Sequence, residues 1–232
     1  RGCTSPSSGR SSAMQLALQQ VTVKFGPTVA LREVTHVFTL GTRLQVVGPS
    51  GGGKSVLLKC LAGLQRPTSG SVEWNGRDAS SFSPAERRVA QASLGFIFQS
   101  DALFDSMSVE ENVALPLTRR GVAVDEALER ARRTLTRVQI DPRAFTRAPE
   151  ALSGGMKKRV GIARAVVAQP TVLLADDPFA GLDPATERDI AQLLLEVSAG
   201  ATLLTALPEP VEALAALPVF TMTAGTLHPE AP

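Results

Sequence analysis

The chain has 232 residues, long enough to bury the core of one large α/β domain. Its 24 Lys and Arg face 22 Asp and Glu; setting aside Arg1 and Arg10 leaves 22 against 22, so bulk charge gives no case for nucleic-acid binding. No apolar run approaches the roughly 20 residues that span a bilayer, and Cys3 and Cys60 build no disulfide framework, so membrane association would come through a partner and a reducing compartment is expected.

Residues 1–13 carry no aliphatic side chain larger than Ala and precede Met14. They read as a disordered leader or an appended remnant, and fold reasoning starts at 14. Leu16–Lys24 alternates loosely as a strand, and Val34–Phe38 reads as another. Leu44–Val47, Gly95–Phe98, Val172–Ala175, Thr202–Thr205 and Val219–Met222 are short apolar runs bounded by Gly, Pro or polar residues, the pattern of buried strands. Helical periodicity marks Lys54–Leu64, Ser108–Leu117, Asp125–Val138, Gly154–Ala168, Pro184–Ala199 and Glu209–Ala216. Asp183-Pro184 supplies an N-cap with proline at the first helical position. Strands alternating with helices predict an α/β fold, a mostly parallel sheet flanked by helices. The stretch 101–153 is helical only and reads as a helical subdomain inserted into a domain running from 14 to 232.

The segment Gly48-Pro49-Ser50-Gly51-Gly52-Gly53-Lys54-Ser55 fits the phosphate-binding loop Gly-x-x-x-x-Gly-Lys-Ser, and it lies between a strand and a helix as that loop requires. Glycines let backbone N–H groups wrap phosphates, and the next helix aims its positive end at them. Lys54 is expected on the β- and γ-phosphates, and the Ser55 hydroxyl on Mg²⁺. The bland alternative is a Gly-rich turn. Val56 stands where a second hydroxyl residue is common, which removes one phosphate contact and none of the backbone ones. Further on, Val172-Leu-Leu-Ala-Asp176-Asp177-Pro178 is an apolar strand ending in an acid, the second Mg²⁺-organising element of phosphate-loop ATPases, with Asp176 at the strand end. Ser153-Gly154-Gly155, weak evidence alone, precedes a helix that opens near Met156.

With the phosphate loop, Gln99, Ser153-Gly154-Gly155, the strand acid Asp176 and Gly181-Leu182-Asp183 in this order, residues 16–227 resemble the ATP-binding subunit of an ABC transporter. The resemblance implies a phosphate-loop ATPase core with antiparallel N-terminal strands, ATP and Mg²⁺ as cofactors, and transmembrane permease subunits as partners. It implies a cytoplasmic protein held at the inner face of the cell membrane. Gln99 would contact Mg²⁺ and sense the γ-phosphate, while Ser153, Gly154 and Gly155 would complete the nucleotide site of another subunit in a head-to-tail dimer, with Asp183 at that interface. Phe25 falls where the family stacks an aromatic on adenine; the alternative is a strand-end core residue. Phe98–Val113, the Pro116-Leu117 tail, Ser-Gly-Gly-Met and Asp177-Pro178-Phe179 are similar to Mla/Mkl-type ATPases. That implies a phospholipid or other hydrophobic cargo and an MCE-type lipid-binding partner, with a polar-solute importer as the alternative.

The chain departs from the family pattern at two places. Asp177 stands where the family has a Glu that serves as general base, and Ala206 where it has a His that contacts the γ-phosphate. An Asp carboxylate falls back by roughly 1 Å, a displacement that can cost about 10²-fold in rate. Slow hydrolysis is therefore expected, from a homodimer or from the degenerate member of a heterodimer that completes a stronger subunit's site. A regulatory module that binds ATP and scarcely hydrolyses it is the third reading.

Overall fold

A computed structural model describes residues 14–229. The N-terminal residues 1–13, expected to be a leader, lie outside them. Two sheets and six α-helices make up the described chain. The first sheet is antiparallel, in the order β2 (Thr28–Phe38), β1 (Leu16–Phe25), β4 (Ser69–Trp74) and β5 (Arg77–Asp78). The second has six strands in the order β10 (Thr226–Pro229), β9 (Val219–Thr223), β3 (Arg43–Val47), β8 (Thr202–Leu207), β7 (Val172–Asp176) and β6 (Leu94–Ile97). All its neighbours run parallel except the terminal β9–β10 hairpin.

Parallel strands buried on both faces carry apolar residues at successive positions, and β7 shows how that works. Val172 and Leu174 join a core with α1 (Lys54–Leu61) and the antiparallel sheet. Leu173 and Ala175 join the opposite core, built with α5 (Gly154–Val166), α6 (Pro184–Val197) and the helical stretch. That stretch, 101–153, holds α3 (Val109–Thr118), α4 (Val124–Arg137) and short 3-10 turns. Ser108 opens α3 with a reciprocal cap, its hydroxyl accepting from Glu111 N–H while the Glu111 carboxylate accepts from Ser108 N–H. Buried Asn112 then ties down the preceding loop, donating to the carbonyls of Phe104, Met107 and Ser108 and accepting from Phe104 N–H.

The expected strands and five of the expected helices are present with shifted ends, and Glu209–Ala216 is the exception. Only Glu212–Leu214 forms a 3-10 turn there, because Pro210 disfavours helical backbone at the residue before it, Glu209. Strands β4, β5 and β10 and helix α2 (Pro84–Gln91) were not expected. Helix α2 has a narrow apolar face of Ala85, Val89 and Ala90 and buries no side chain, and its eight residues are too few and too charged to stand out.

Candidate functional site

The carboxyl ends of β3, β6, β7 and β8 converge on one cleft of about 270 Å³, lined by Phe25, Ala30, Ser50–Val56, Gln99, Asp176, Asp177 and Pro208. A larger depression of about 630 Å³ lies around Arg66, Ser69 and Arg87 and contains none of the expected site residues.

The loop between β3 and α1 is shaped by close approach. A Cβ on Gly48 (φ +150°) would sit 2.1 Å from Met222 O, and one on Gly53 (φ +106°) would sit 2.3 Å from Ala30 O. Gly53 is the N-cap of α1 and offers no side chain, so nothing from this residue satisfies the first-turn N–H groups. No acid occupies that turn. Those donors and the helix's positive end face the cleft, which suits a phosphate chain. Lys54 Nζ curls back to donate to Gly48 O at 2.6 Å and Pro49 O at 3.0 Å. Burial holds its ammonium below the usual lysine range, against the attraction of Asp177 and Asp176.

Asp176 is the last residue of β7 and is buried, and its Oδ1 accepts from Ser55 Oγ at 2.7 Å. A hydroxyl and a carboxylate meeting beside a phosphate cradle form an oxygen-rich ligand pair for a hard divalent cation, so the residues present fit Mg²⁺. Asp177 leaves the strand with φ +44°, its N–H donating to Ala206 O at 2.8 Å and its carbonyl accepting from Ala180 N–H at 3.2 Å. Its Oδ2 accepts from Gln99 Nε2 at 3.1 Å. Burial, then the neighbouring Asp176 charge, push the Asp177 carboxyl above the usual aspartate range; Lys158, Lys54 and the Gln99 amide pull it partway back.

The structure thus brings Lys54, Ser55, Gln99, Asp176 and Asp177 together. Gly48 and Pro49 do not line the cleft but accept from Lys54 through their carbonyls, and Phe25, 51 % exposed, stands at the rim. Ser153, Gly154 and Gly155 do not line this cleft; they open α5, with the Ser153 hydroxyl accepting from Met156 N–H at 3.3 Å. Ala206 is fully buried in β8 on the α1 side, and Pro208 is the residue after that strand that reaches the cleft. His36 is half-buried between the rings of Phe38 and Phe220, and His228 bonds Thr226, both away from the cleft. Asp183 caps α6, accepting from the N–H groups of Ala185 and Thr186 and the Thr186 hydroxyl, which lower its pKa. Sequence reasoning missed Lys158. In the run Lys157-Lys158-Arg159 it reads as a solvated charge, and only the helical phase puts it inward with Gly161 and Ile162.

A family model described as "ABC transporter" matches residues 31–180. The chain belongs to the ABC transporter family. The methionine import ATP-binding protein MetN of Rhizobium johnstonii is 42% identical over 181 residues, covering 78% of this chain and 50% of that protein. MetN of Brucella abortus is 37% identical over 195 residues, covering 83% and 53%. The chain spans about half the length of these curated relatives. Among solved structures, a dimeric ATP-binding cassette in a post-hydrolysis state bound to ADP and Pi superposes with a TM-score of 0.83 at 28% identity, covering 94% of this chain and 99% of that one. A Clostridium perfringens component of the ABC transporter complex cbiONQ gives 0.78 at 29% identity, covering 91% and 86%. The fold is therefore that of an ABC cassette, an α/β core with an antiparallel N-terminal sheet, a mostly parallel second sheet and flanking helices. No helix among the described residues is long and apolar enough to cross a membrane.

Proposed function

We propose that this chain binds and hydrolyses ATP to drive a membrane importer of a polar solute. The observation that carries the reading is the Ser55 Oγ–Asp176 Oδ1 hydrogen bond of 2.7 Å, which joins residues 121 positions apart beside the phosphate loop. The curated relatives are named for methionine import, which favours the polar-solute alternative over the phospholipid cargo expected from the Gln99 segment. Those names lend no support to an MCE-type partner. Permease subunits and a second cassette remain the proposed partners, the latter because a solved neighbour is described as dimeric. They would hold the chain at the inner face of the membrane.

On this reading, Lys54 exchanges the Gly48 and Pro49 carbonyls for β- and γ-phosphate oxygens, and the first-turn N–H groups of α1 hold the phosphate chain. Phe25 stacks on the base at the rim. Ser55, Asp176 and Gln99 would hold Mg²⁺, which would neutralise charge on the phosphate oxygens. Asp177 accepts a proton from the attacking water as its oxygen bonds the γ-phosphorus and the bond to the β-phosphate oxygen breaks, giving ADP and phosphate. Ser153, Gly154 and Gly155 lie outside this chain's own cleft and serve the cleft of a second subunit. Asp177 favours one further reading, a slow member of an unequal pair. The test is phosphate release by the purified chain beside Lys54→Ala: turnover that disappears in the variant is expected, and equal rates refute the proposal. Methionine-stimulated turnover of the chain with its permease would support a methionine cargo.

A further inference from the structure

Helix α5 reaches from the Ser153-Gly154-Gly155 turn to the loop that carries Gln99, and two of its cations grip that loop. Lys158 is a buried residue on an otherwise cationic turn. Its Nζ donates to the Gln99 carbonyl at 2.6 Å and pairs with Asp101 Oδ1 at 3.1 Å, with both partner side chains largely shielded from solvent. Two turns on, Arg164 donates to Asp101 O at 2.7 Å and Ala102 O at 2.6 Å. The gripped residues need holding: Asp101 and Ala102 have φ of +57° and +49°, a left-handed conformation that non-glycine residues adopt only when the surroundings impose it. Gln99, at the other end of the clamp, places its side-chain amide 3.1 Å from Asp177 Oδ2.

We propose that Lys158 is a positioning residue for hydrolysis, fixing the Gln99 main chain so that the Gln99 amide meets Asp177 at hydrogen-bond distance. This rests on the ATPase reading above. Because Lys158 sits on the helix that opens with Ser153, it also makes α5 a rigid link between the surface offered to a second subunit and this chain's own Asp177. A turn of α5 on engagement of that surface would move Gln99 through a buried ion pair rather than through flexible chain.

The deciding experiment compares Lys158→Met with Arg159→Met in the full chain. Arg159 is the adjacent cation on α5, but it bonds Val138 O and Gln139 Oε1 at the end of α4, away from Gln99. Lys158→Met should lower kcat about 10-fold or more, the scale set by small misplacements of reacting groups. The KM for ATP should change little, and amide exchange should speed up at 99–102. Arg159→Met should leave kcat and that exchange unchanged. The inference is overturned if folded Lys158→Met keeps wild-type kcat, if KM rises in place of a fall in kcat, or if Arg159→Met behaves the same way. A wild-type chain no faster than Lys54→Ala refutes the ATPase reading itself, and amide exchange at 99–102 then decides whether Lys158 holds the loop.

Discussion

If Asp177 is the base of the proposed ATPase, replacing it by Glu should speed hydrolysis up. On that reading the Asp177 carboxylate is short by one methylene, and the structure prevents the main chain from making up the difference. Its N–H is bonded to Ala206 O at 2.8 Å, its carbonyl accepts from Ala180 N–H at 3.2 Å, and its φ of +44° is set by that tight exit from β7. The partner amide of Gln99 is held in turn by Lys158. With both ends fixed, a setback of roughly 1 Å persists, and such a misplacement costs about 10²-fold, or about 2.7 kcal/mol of barrier. Asp177→Glu should therefore raise kcat by roughly 10- to 100-fold, inside the total of about 10²–10⁴ that a positioned base contributes. The assay is steady-state phosphate release at saturating ATP, with Lys54→Ala as the background. Wild-type turnover of tens per minute or faster, together with a loss of rate in Asp177→Glu, would show that the site is built for Asp and that the setback argument is wrong.

The acid limb of kcat should lie above the ordinary aspartate range of about 3.9, since burial and Asp176 raise the Asp177 pKa. The same shift bears on stability: a carboxyl whose folded pKa is raised contributes most below its unfolded pKa and loses that contribution as pH rises through the folded value. Asp177→Asn should therefore melt above wild type at pH 7, with the difference closing below about pH 4, while turnover is lost; thermal scans across that range check it. Gly48→Ala should cost about 2 kcal/mol or more and abolish fluorescent-ATP binding, since its Cβ would press on Met222 O at 2.1 Å; Gly51→Ala, whose Cβ meets nothing within 4 Å, should cost only about 1–2 kcal/mol for its left-handed φ. Trp74→Phe should cost about 2 kcal/mol by urea unfolding, because the buried indole N–H donates to Leu61 O at 2.9 Å and a phenyl ring leaves that carbonyl unpaired.

Much of the core could be read from the chain because parallel strands buried on both faces are uninterrupted apolar runs. Val172–Ala175 and Thr202–Thr205 are legible without knowing what covers them. The peripheral elements were not: β4 begins Ser-Gly-Ser with mostly exposed residues, and α2 is short, with a narrow apolar face that leaves Val89 exposed. At the site, residues recognised by type were found, because Lys54, Ser55 and Asp176 each have a fixed spacing from glycines or a strand end. Ala30 and Pro208 were missed because they line the cleft through where the chain passes rather than through chemistry. The reading of the cargo rested on the Gln99 segment. That segment is shaped by contacts internal to the chain, such as the Asn112 bonds to Phe104 and Ser108, so its sequence reports on loop packing as much as on any partner.

Adjacent acids at the end of β7 take different partners because the backbone turns between them. Asp176 is still in the ladder, opposite Ala206, and its carboxylate is committed to the Ser55 hydroxyl on α1. Asp177 has left the ladder, and its left-handed φ swings the next carboxylate toward Gln99 on the opposite side of the cleft. On the proposed reading, one acid would organise a cation and the other would meet a proton. That division depends on three elements reaching the same strand end: α1 through Ser55, the loop after β6 through Gln99, and α5 through Lys158. In open α/β sheets the crevice at the carboxyl ends of the strands is where ligands bind. Here β3 leads into the Gly48–Ser55 loop, β7 ends in the acids and β6 leads to the Gln99 amide, whose main chain α5 holds through Lys158.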